Sequence, residues 1–323
     1  MAHPRVTLTH CFATREFSLA DELMDARAAD VVCMTDEHID EHIMDNLGDI
    51  VFLATPAETS LRLAPRILHE GKTVIDLSGA FRLREHDYET WYGFRHTEFE
   101  LLREADYGVV PYCGPARPET RLIANPGCFA TAVTLALIPL LKHGLVEPRG
   151  LVIDAKSGTT GGGRKASENL LFSEVSEDCL PYRVGRHQHW PEIREATLRH
   201  TGQEPDAHFA THLLPVRRGI IAGIYAKTKA TGLDEIAAAY EAEYGAYPLV
   251  RHGRDVSRLA KLTSVTRTPY THISYALSDG KLYVFSVIDN LMKGAASQAI
   301  ENLNRVLDLP PAFALTPSQT MEV

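Results

Sequence analysis

RLIANPGCFATAVTLALIPLLKHG, residues 121–144, reads as a short strand, a turn and a long helix, with one cysteine at the junction. Pro126 and Gly127 punctuate the chain, and Ala130, Val133, Leu137, Leu140 and Leu141 then recur at helical spacing. Gly144, after Lys142 and His143, supplies a C-terminal stop. Cys128 therefore belongs on the first turn of the helix, where the backbone dipole favours thiolate over thiol. Two readings of Cys128 follow from this stretch: an activated nucleophile, or a small, buried, inert cysteine.

Strand, turn and helix also alternate upstream. DIVFLATP (49–56) is a buried strand, TSLRLAPRILHEG a helix closing on Gly71, and KTVIDLSG the next strand. YGVVPY and RLIANPG read as two further strands. This alternation predicts an α/β fold with a doubly wound, Rossmann-like parallel sheet, whose functional groups collect beyond the strand C-termini. Thr55, Ser78, Asn125 and Cys128 fall at such positions.

Beyond residue 144 the pattern changes. LVIDAKSG leads into a Gly-rich loop, HFATHLLPV and GIIAGIYAKTKA alternate like half-buried strands, and THISYALSDGKLYVFSVID reads as a hairpin turning at Ser278-Asp279-Gly280. A second, α+β domain with a mainly antiparallel sheet is expected over residues 128–289. KGAASQAIENLNRVLDL then forms a helix expected to return to the first domain, so that residues 1–127 join 290–323.

At 323 residues and 45% hydrophobic content, the chain has material for two cores. A net charge of -9 argues against general nucleic-acid binding. No apolar run is long enough to span a bilayer, and MAHPRVTLTH does not read as a signal peptide. Five scattered cysteines without C-x-x-C spacing fit a reducing cytoplasm better than a disulfide framework or a zinc site.

A thiolate nucleophile needs a proton-transfer partner. YRVGRHQHWPEI, residues 182–193, offers His187 and His189, with Glu192 in the first turn of a helix opened by Trp190-Pro191. The H-E-x-x-H spacing of zinc proteases is absent, so no metal is expected. SGTTGGGRKA, residues 157–166, has glycines at P-loop spacing, but Gly163-Arg164-Lys165-Ala166 lacks the magnesium-binding hydroxyl. Its glycines can still present N–H groups to a phosphate or carboxylate. Arg217 and Arg218 in HLLPVRRG suit a carboxylate.

IDLSGAFRL, WYG, IANPGC, SGTTGGGR, the H-x-H-x-x-E spacing, HLLPVRRG and DNLMKGAASQAIENLN occur in one order. Together they resemble the N-acetyl-γ-glutamyl-phosphate reductase family, NADPH-dependent enzymes of arginine biosynthesis related to aspartate-semialdehyde dehydrogenase. The resemblance runs from HPRVTL to the final helix. It implies that Cys128 attacks an acyl phosphate and holds the acyl group as a thioester. It further implies that His187 is the acid/base, with His189 and Glu192 in support. Ser157, Gly158, Thr159, Tyr182, Arg217 and Arg218 would bind the substrate. Thr14, Arg15, Thr55, Ser78, Asn290 and Lys293 would meet the cofactor, NADP. A soluble homodimer or homotetramer acting on a small molecule is implied, with no membrane or nucleic-acid partner.

The family pattern normally begins with a strand and Gly-rich turn ahead of a segment like HPRVTL. No such turn occurs in residues 1–127, so the Rossmann-like domain is expected to be N-terminally incomplete and to bind NADPH weakly. Ala80 stands where the family has Asp, Phe129 where Tyr is usual, and ATPAE where Leu-Pro-His-Gly is typical. Alternatives are a lysine-pathway relative acting on a carrier-bound aminoadipyl phosphate, or a non-catalytic homologue. An activated Cys128 is also expected to be alkylated ahead of the other four cysteines.

Overall fold

The computed structural model describes residues 3–35, 47–163 and 167–316. Three sheets organise them. Strands β1 (His10–Ala13) and β2 (Val32–Thr35) form a separate parallel pair, with helix α1 (Leu19–Leu23) between them. Strands β3 (Ile50–Leu53), β4 (Thr73–Asp76), β5 (Asp106–Tyr107) and β6 (Leu122–Ala124) form a parallel sheet of order β3-β4-β6-β5. Helix α2 (Ala57–His69) crosses from β3 to β4 and buries Leu63, Ala64 and Ile67. The short helices α3 (Tyr88–Tyr92) and α4 (Phe99–Glu104) precede β5. β1 and β3 are not hydrogen-bonded to each other, so the doubly wound sheet is in two pieces. Of the expected YGVVPY strand only Tyr107 pairs, together with Asp106 before it, and the Gly108 carbonyl instead accepts from Asn302 Nδ2 at 3.0 Å.

Helix α5 (Cys128–Lys142) follows β6. Every residue from Phe129 to Leu141 is buried, so the apolar stripe expected from periodicity is apolar all round, as for a core helix. Its Leu and Ile side chains each contribute on the order of 1.5–3 kcal/mol of burial. One partner is a mixed seven-stranded sheet, built from β7 (Arg149–Gly158), β8 (Leu180–Pro181), β9 (Asp206–Leu214), β10 (Ile220–Lys227), β11 (Val250–Gly253), β12 (Thr271–Ser278) and β13 (Lys281–Ile288). Its order is β11-β12-β13-β10-β7-β9-β8. The pairs β11–β12 and β7–β9 are parallel and the other four antiparallel. The β12–β13 hairpin turns at Asp279-Gly280, both left-handed, as a type I′ turn requires.

Helices α6 (Phe172–Val175), α7 (His189–Thr201), α8 (Leu233–Tyr244) and α9 (Val256–Leu259) complete this region. After β13, a π-helical turn over Met292–Ala296 leads into α10 (Ser297–Val306). Ala299 and Leu303 of α10 pack on Ile75 and Ile123 of the four-stranded sheet. Gln298 donates to Thr131 of α5 at 2.8 Å. The chain end therefore joins the parallel sheet to the cysteine helix.

Candidate active site

Cys128 occupies the first position of α5, after an N-cap glycine that has no side chain to offer. The missing cap comes from another helix. Glu192, in the first turn of α7 and fully buried, accepts the Gly127 N–H at 2.9 Å through Oε2. This is the reach of a capping-box glutamate, made across the fold instead of along one helix. The same oxygen accepts the Tyr107 hydroxyl at 3.1 Å, and Oε1 lies 3.4 Å from Arg82 Nη1. Arg82 also donates to the carbonyls of Asn125 (2.8 Å) and Leu77 (2.7 Å). One carboxylate and one guanidinium thus fasten the ends of β4 and β6 to the start of α5.

His189 packs against this junction, its Nε2 3.8 Å from Glu192 Oε1. A Cβ on Gly127 would lie 2.4 Å from that nitrogen, so only glycine fits there. The His189 N–H donates to His187 Nδ1 at 3.1 Å, which fixes the neutral tautomer of His187 with its proton on Nε2. Phe129, Tyr182 and Phe209 surround the His187 ring with centroids 5.1–5.7 Å away. Burial, His189 and Arg183 push His187 down to about 2, and burial followed by Arg82 holds His189 well below its usual range. Both rings are neutral in the resting protein.

The thiol departs from expectation. Burial pushes Cys128 up to about 11, against the opposing pull of Arg82 and of the Phe129 and Cys128 N–H groups. The helix end acts in the direction the sequence implies, but desolvation is larger, so the resting sulfur is S–H. Cys179 is the exposed thiol among the described residues. Alkylation is therefore expected at Cys179 ahead of Cys128 in the free protein, the opposite of the order expected from sequence.

Gly294 of the π turn closes the other side of Cys128. A Cβ there would sit 2.7 Å from the cysteine Cβ. Gly294→Ala should displace the sulfur and lower turnover about a hundredfold, the cost of a displacement near 1 Å. Steady-state kinetics check this, and unchanged turnover would show that the turn does not set the sulfur's position.

The other predicted site residues distribute unevenly. Ser157 and Gly158, both buried, end β7, where the Gly158 N–H donates to Gly219 O at 2.9 Å. The Thr159 N–H donates to Val216 O at 2.8 Å, which brings this loop against Arg217 and Arg218. Tyr182, its phenol raised by burial and then by Cys128, lies near the sulfur. Arg164 and Lys165 lie outside the described residues.

Thr14 and Arg15 are exposed just beyond β1, with Arg15 paired to Glu22. Thr55 bonds Ser60 at 2.8 Å, and Ser78 is buried, its N–H (3.0 Å) and hydroxyl (2.8 Å) both given to Asp76. Asn290 accepts the Gly219 N–H (2.8 Å) through Oδ1 and donates to Thr160 Oγ1 (3.0 Å) through Nδ2, so it braces the β7 loop. Lys293 lies in the π turn. It is fully buried, with Nζ 2.8 Å from Glu301 and 2.8 Å from Tyr247, so its charge anchors the π turn to α10. Arg82, Tyr107 and Gly294 were missed from sequence, although Arg82 stood inside the quoted IDLSGAFRL.

The strand ends carrying Thr14, Thr55 and Ser78 suit the crevice of a nicotinamide dinucleotide. Among the described residues no glycine turn between strand and helix offers N–H groups to its pyrophosphate. No group of three His, Cys, Asp or Glu positioned to hold a metal occurs among the described residues, and no described helix is long and apolar enough to cross a membrane.

The buried histidines make stability pH-dependent. Below the unfolded histidine value of 6.5, the unfolded chain takes up protons that folded His187 (about 2) and His200 (about 4) refuse. Stability is therefore present above pH 6.5 and lost as the pH falls toward those folded values. The melting temperature should drop between pH 7 and pH 5, and drop less in His187→Asn. A flat profile would show that the imidazoles are not held neutral.

Two domain models of one class of enzyme match the chain: the semialdehyde dehydrogenase NAD-binding domain over residues 1–118, and the semialdehyde dehydrogenase dimerisation domain over residues 128–290. Aspartate semialdehyde dehydrogenases share the fold. The type II enzyme of Vibrio cholerae aligns with a TM-score of 0.63 at 17% identity, over 86% of this chain and 83% of that one. That of Francisella tularensis aligns with a TM-score of 0.62 at 15% identity, over 92% and 90%. N-acetyl-gamma-glutamyl-phosphate reductase of Geobacillus kaustophilus is 43% identical over 273 residues, 83% of this chain and 78% of the relative. That of Brevibacillus brevis is 36% identical over 317 residues, 97% and 91%. The chain belongs to the N-acetyl-gamma-glutamyl-phosphate reductase family, oxidoreductases that use a nicotinamide cofactor.

Proposed function

We propose that this protein reduces N-acetyl-γ-glutamyl phosphate to N-acetylglutamate semialdehyde and phosphate in arginine biosynthesis, through a thioester on Cys128. The observation that supports it most is the seating of Cys128. A cysteine heads a buried helix, its N-cap is held by Glu192, and the Cys128 and Phe129 N–H groups act on its sulfur.

The resting pair is neutral S–H and neutral imidazole. The negative charge of an arriving acyl phosphate favours imidazolium, so His187 takes the thiol proton on Nδ1, giving up the His189 N–H held there at rest, as the sulfur attacks the acyl carbon. The C–S bond forms, the C–O bond to phosphate breaks, and the imidazolium returns its proton to the departing phosphate. The N–H groups at the start of α5 stabilise the carbonyl oxygen as it gains charge. A nicotinamide cofactor, read here as NADPH, would supply the hydride for reduction of the thioester. The thiohemiacetal oxygen then re-forms a carbonyl, the C–S bond breaks, and the departing sulfur takes up a proton supplied from solvent through His187, which restores the S–H.

Thr14 and Arg15 are read as contacts to the adenosine side of the cofactor, and Ser157, Gly158, Thr159, Tyr182, Arg217 and Arg218 as contacts to the substrate. The dimerisation-domain match supports a homo-oligomer, proposed as a homodimer or homotetramer in the cytoplasm. Residues 1–127 with 290–323 and residues 128–289 are proposed as the two working units.

Phosphate release matched one for one by NADPH oxidation, with N-acetylglutamyl phosphate as substrate, tests this reading. Phosphate release without oxidation would contradict it. Within it, His187→Asn should cost at least about a hundredfold in turnover, in the range of general acid–base groups, and His189→Asn less. Reversed costs would move the proton to His189, whose buried Nδ1 has no partner among the described residues.

A further inference from the structure

Arg217, Arg218, Leu262, Thr263, Thr266 and Arg267 border a concavity of about 320 Å³ at the ends of β9 and β10. Three guanidiniums meet there with little to balance them. Arg218 Nη1 lies 3.3 Å from Asp289 Oδ2, but that buried carboxylate is shared. It also accepts the N–H groups of Arg267 (2.6 Å), Leu291 (2.8 Å) and Met292 (3.1 Å). Among the described residues, the Arg217 and Arg267 guanidiniums have no hydrogen-bond or ion-pair partner. Arg267 is moreover held in a left-handed conformation, φ 64°, that a long side chain rarely adopts. A buried carboxylate thus fixes a strained backbone, and the result is a third cation on one concavity. Such a cluster attracts an anion and suits the planar, bidentate geometry of a carboxylate.

The concavity adjoins the acylation site without being part of it. Arg217 on its rim is fastened to the β7 loop, since Arg217 O accepts the Thr160 N–H at 3.0 Å. Asp289 begins the segment that runs to Gly294 against Cys128. None of Cys128, Tyr182 and His187 lines it. We infer that Arg267 joins Arg217 and Arg218 in gripping the carboxylate that the substrate carries at the end remote from its acyl phosphate. Arg267 is then a specificity-determining residue outside every motif quoted from the sequence. This rests on the proposed function.

Calorimetric titration without cofactor tests it, using N-acetylglutamate, its α-amide and inorganic phosphate as probes. Arg267→Gln should weaken N-acetylglutamate about tenfold, as loss of a charge-assisted contact does, while leaving the α-amide and phosphate unchanged. Arg267→Lys should fall between. Equal N-acetylglutamate affinity in wild type and Arg267→Gln would overturn the inference, as would the same loss for the α-amide. A loss confined to phosphate would also overturn it by assigning the site to the phosphoryl end. Wild-type protein binding neither N-acetylglutamate nor its α-amide would instead overturn the functional reading.

Discussion

Cys128→Ser is expected to abolish acyl-phosphate reduction, by at least about a thousandfold, with the melting temperature unchanged. Nucleophile loss in covalent enzymes costs up to about a millionfold, because the remaining machinery has no bond to form. The hydroxyl is nearly isosteric with the thiol, so the packing against Gly294 and the start of α5 persists. Its proton, however, is far harder to remove than one already pushed to about 11 by burial. NADPH oxidation and a thermal melt, run on the same preparations, check both halves. Near-normal turnover would restore the alternative that Cys128 is a small, inert core residue.

Glu192→Ala should be the most destabilising single change at the site. It strands the Gly127 N–H, the Tyr107 hydroxyl and the Arg82 guanidinium, all of which meet this one buried carboxylate. Removing one partner of a buried ion pair costs about 3–5 kcal/mol, since the charge left behind stays desolvated. Glu192→Gln keeps an acceptor for Gly127 and should cost less. Denaturant unfolding measures both. A loss below about 1 kcal/mol for Glu192→Ala would mean that the carboxylate does not hold the helix start, and that its role lies with His189 instead.

The legible parts of this fold are those decided by neighbours in the chain. Asn-Pro-Gly before Cys128, Gly144 after Lys142, and Asp279-Gly280 between alternating runs each mark a boundary through local backbone preference, and the helix and hairpin stand where those marks place them. Contacts that cross the fold leave no such mark. Glu192 reaches Gly127 across 65 positions and Tyr107 across 85, so its capping role could not be read from the H-x-H-x-x-E spacing that drew attention to it. Lys293 stands in a motif that suggests a ligand, but Glu301 lies eight residues on, and the π turn and α10 carry the two side chains inward onto each other. The helix dipole at Cys128 was readable, whereas the burial that outweighs it depends on Arg82, Phe129 and the π turn meeting in space.

The central claim is that the acyl group passes through Cys128, and the most direct measurement needs no reduction step. The protein is mixed with N-acetylglutamyl phosphate in the absence of NADPH, quenched in acid, digested and analysed by mass spectrometry. The account predicts one N-acetylglutamyl group on the peptide containing Cys128, with about one equivalent of phosphate released and no adduct in Cys128→Ser. No adduct, or one carried by the exposed Cys179 in its place, would contradict it.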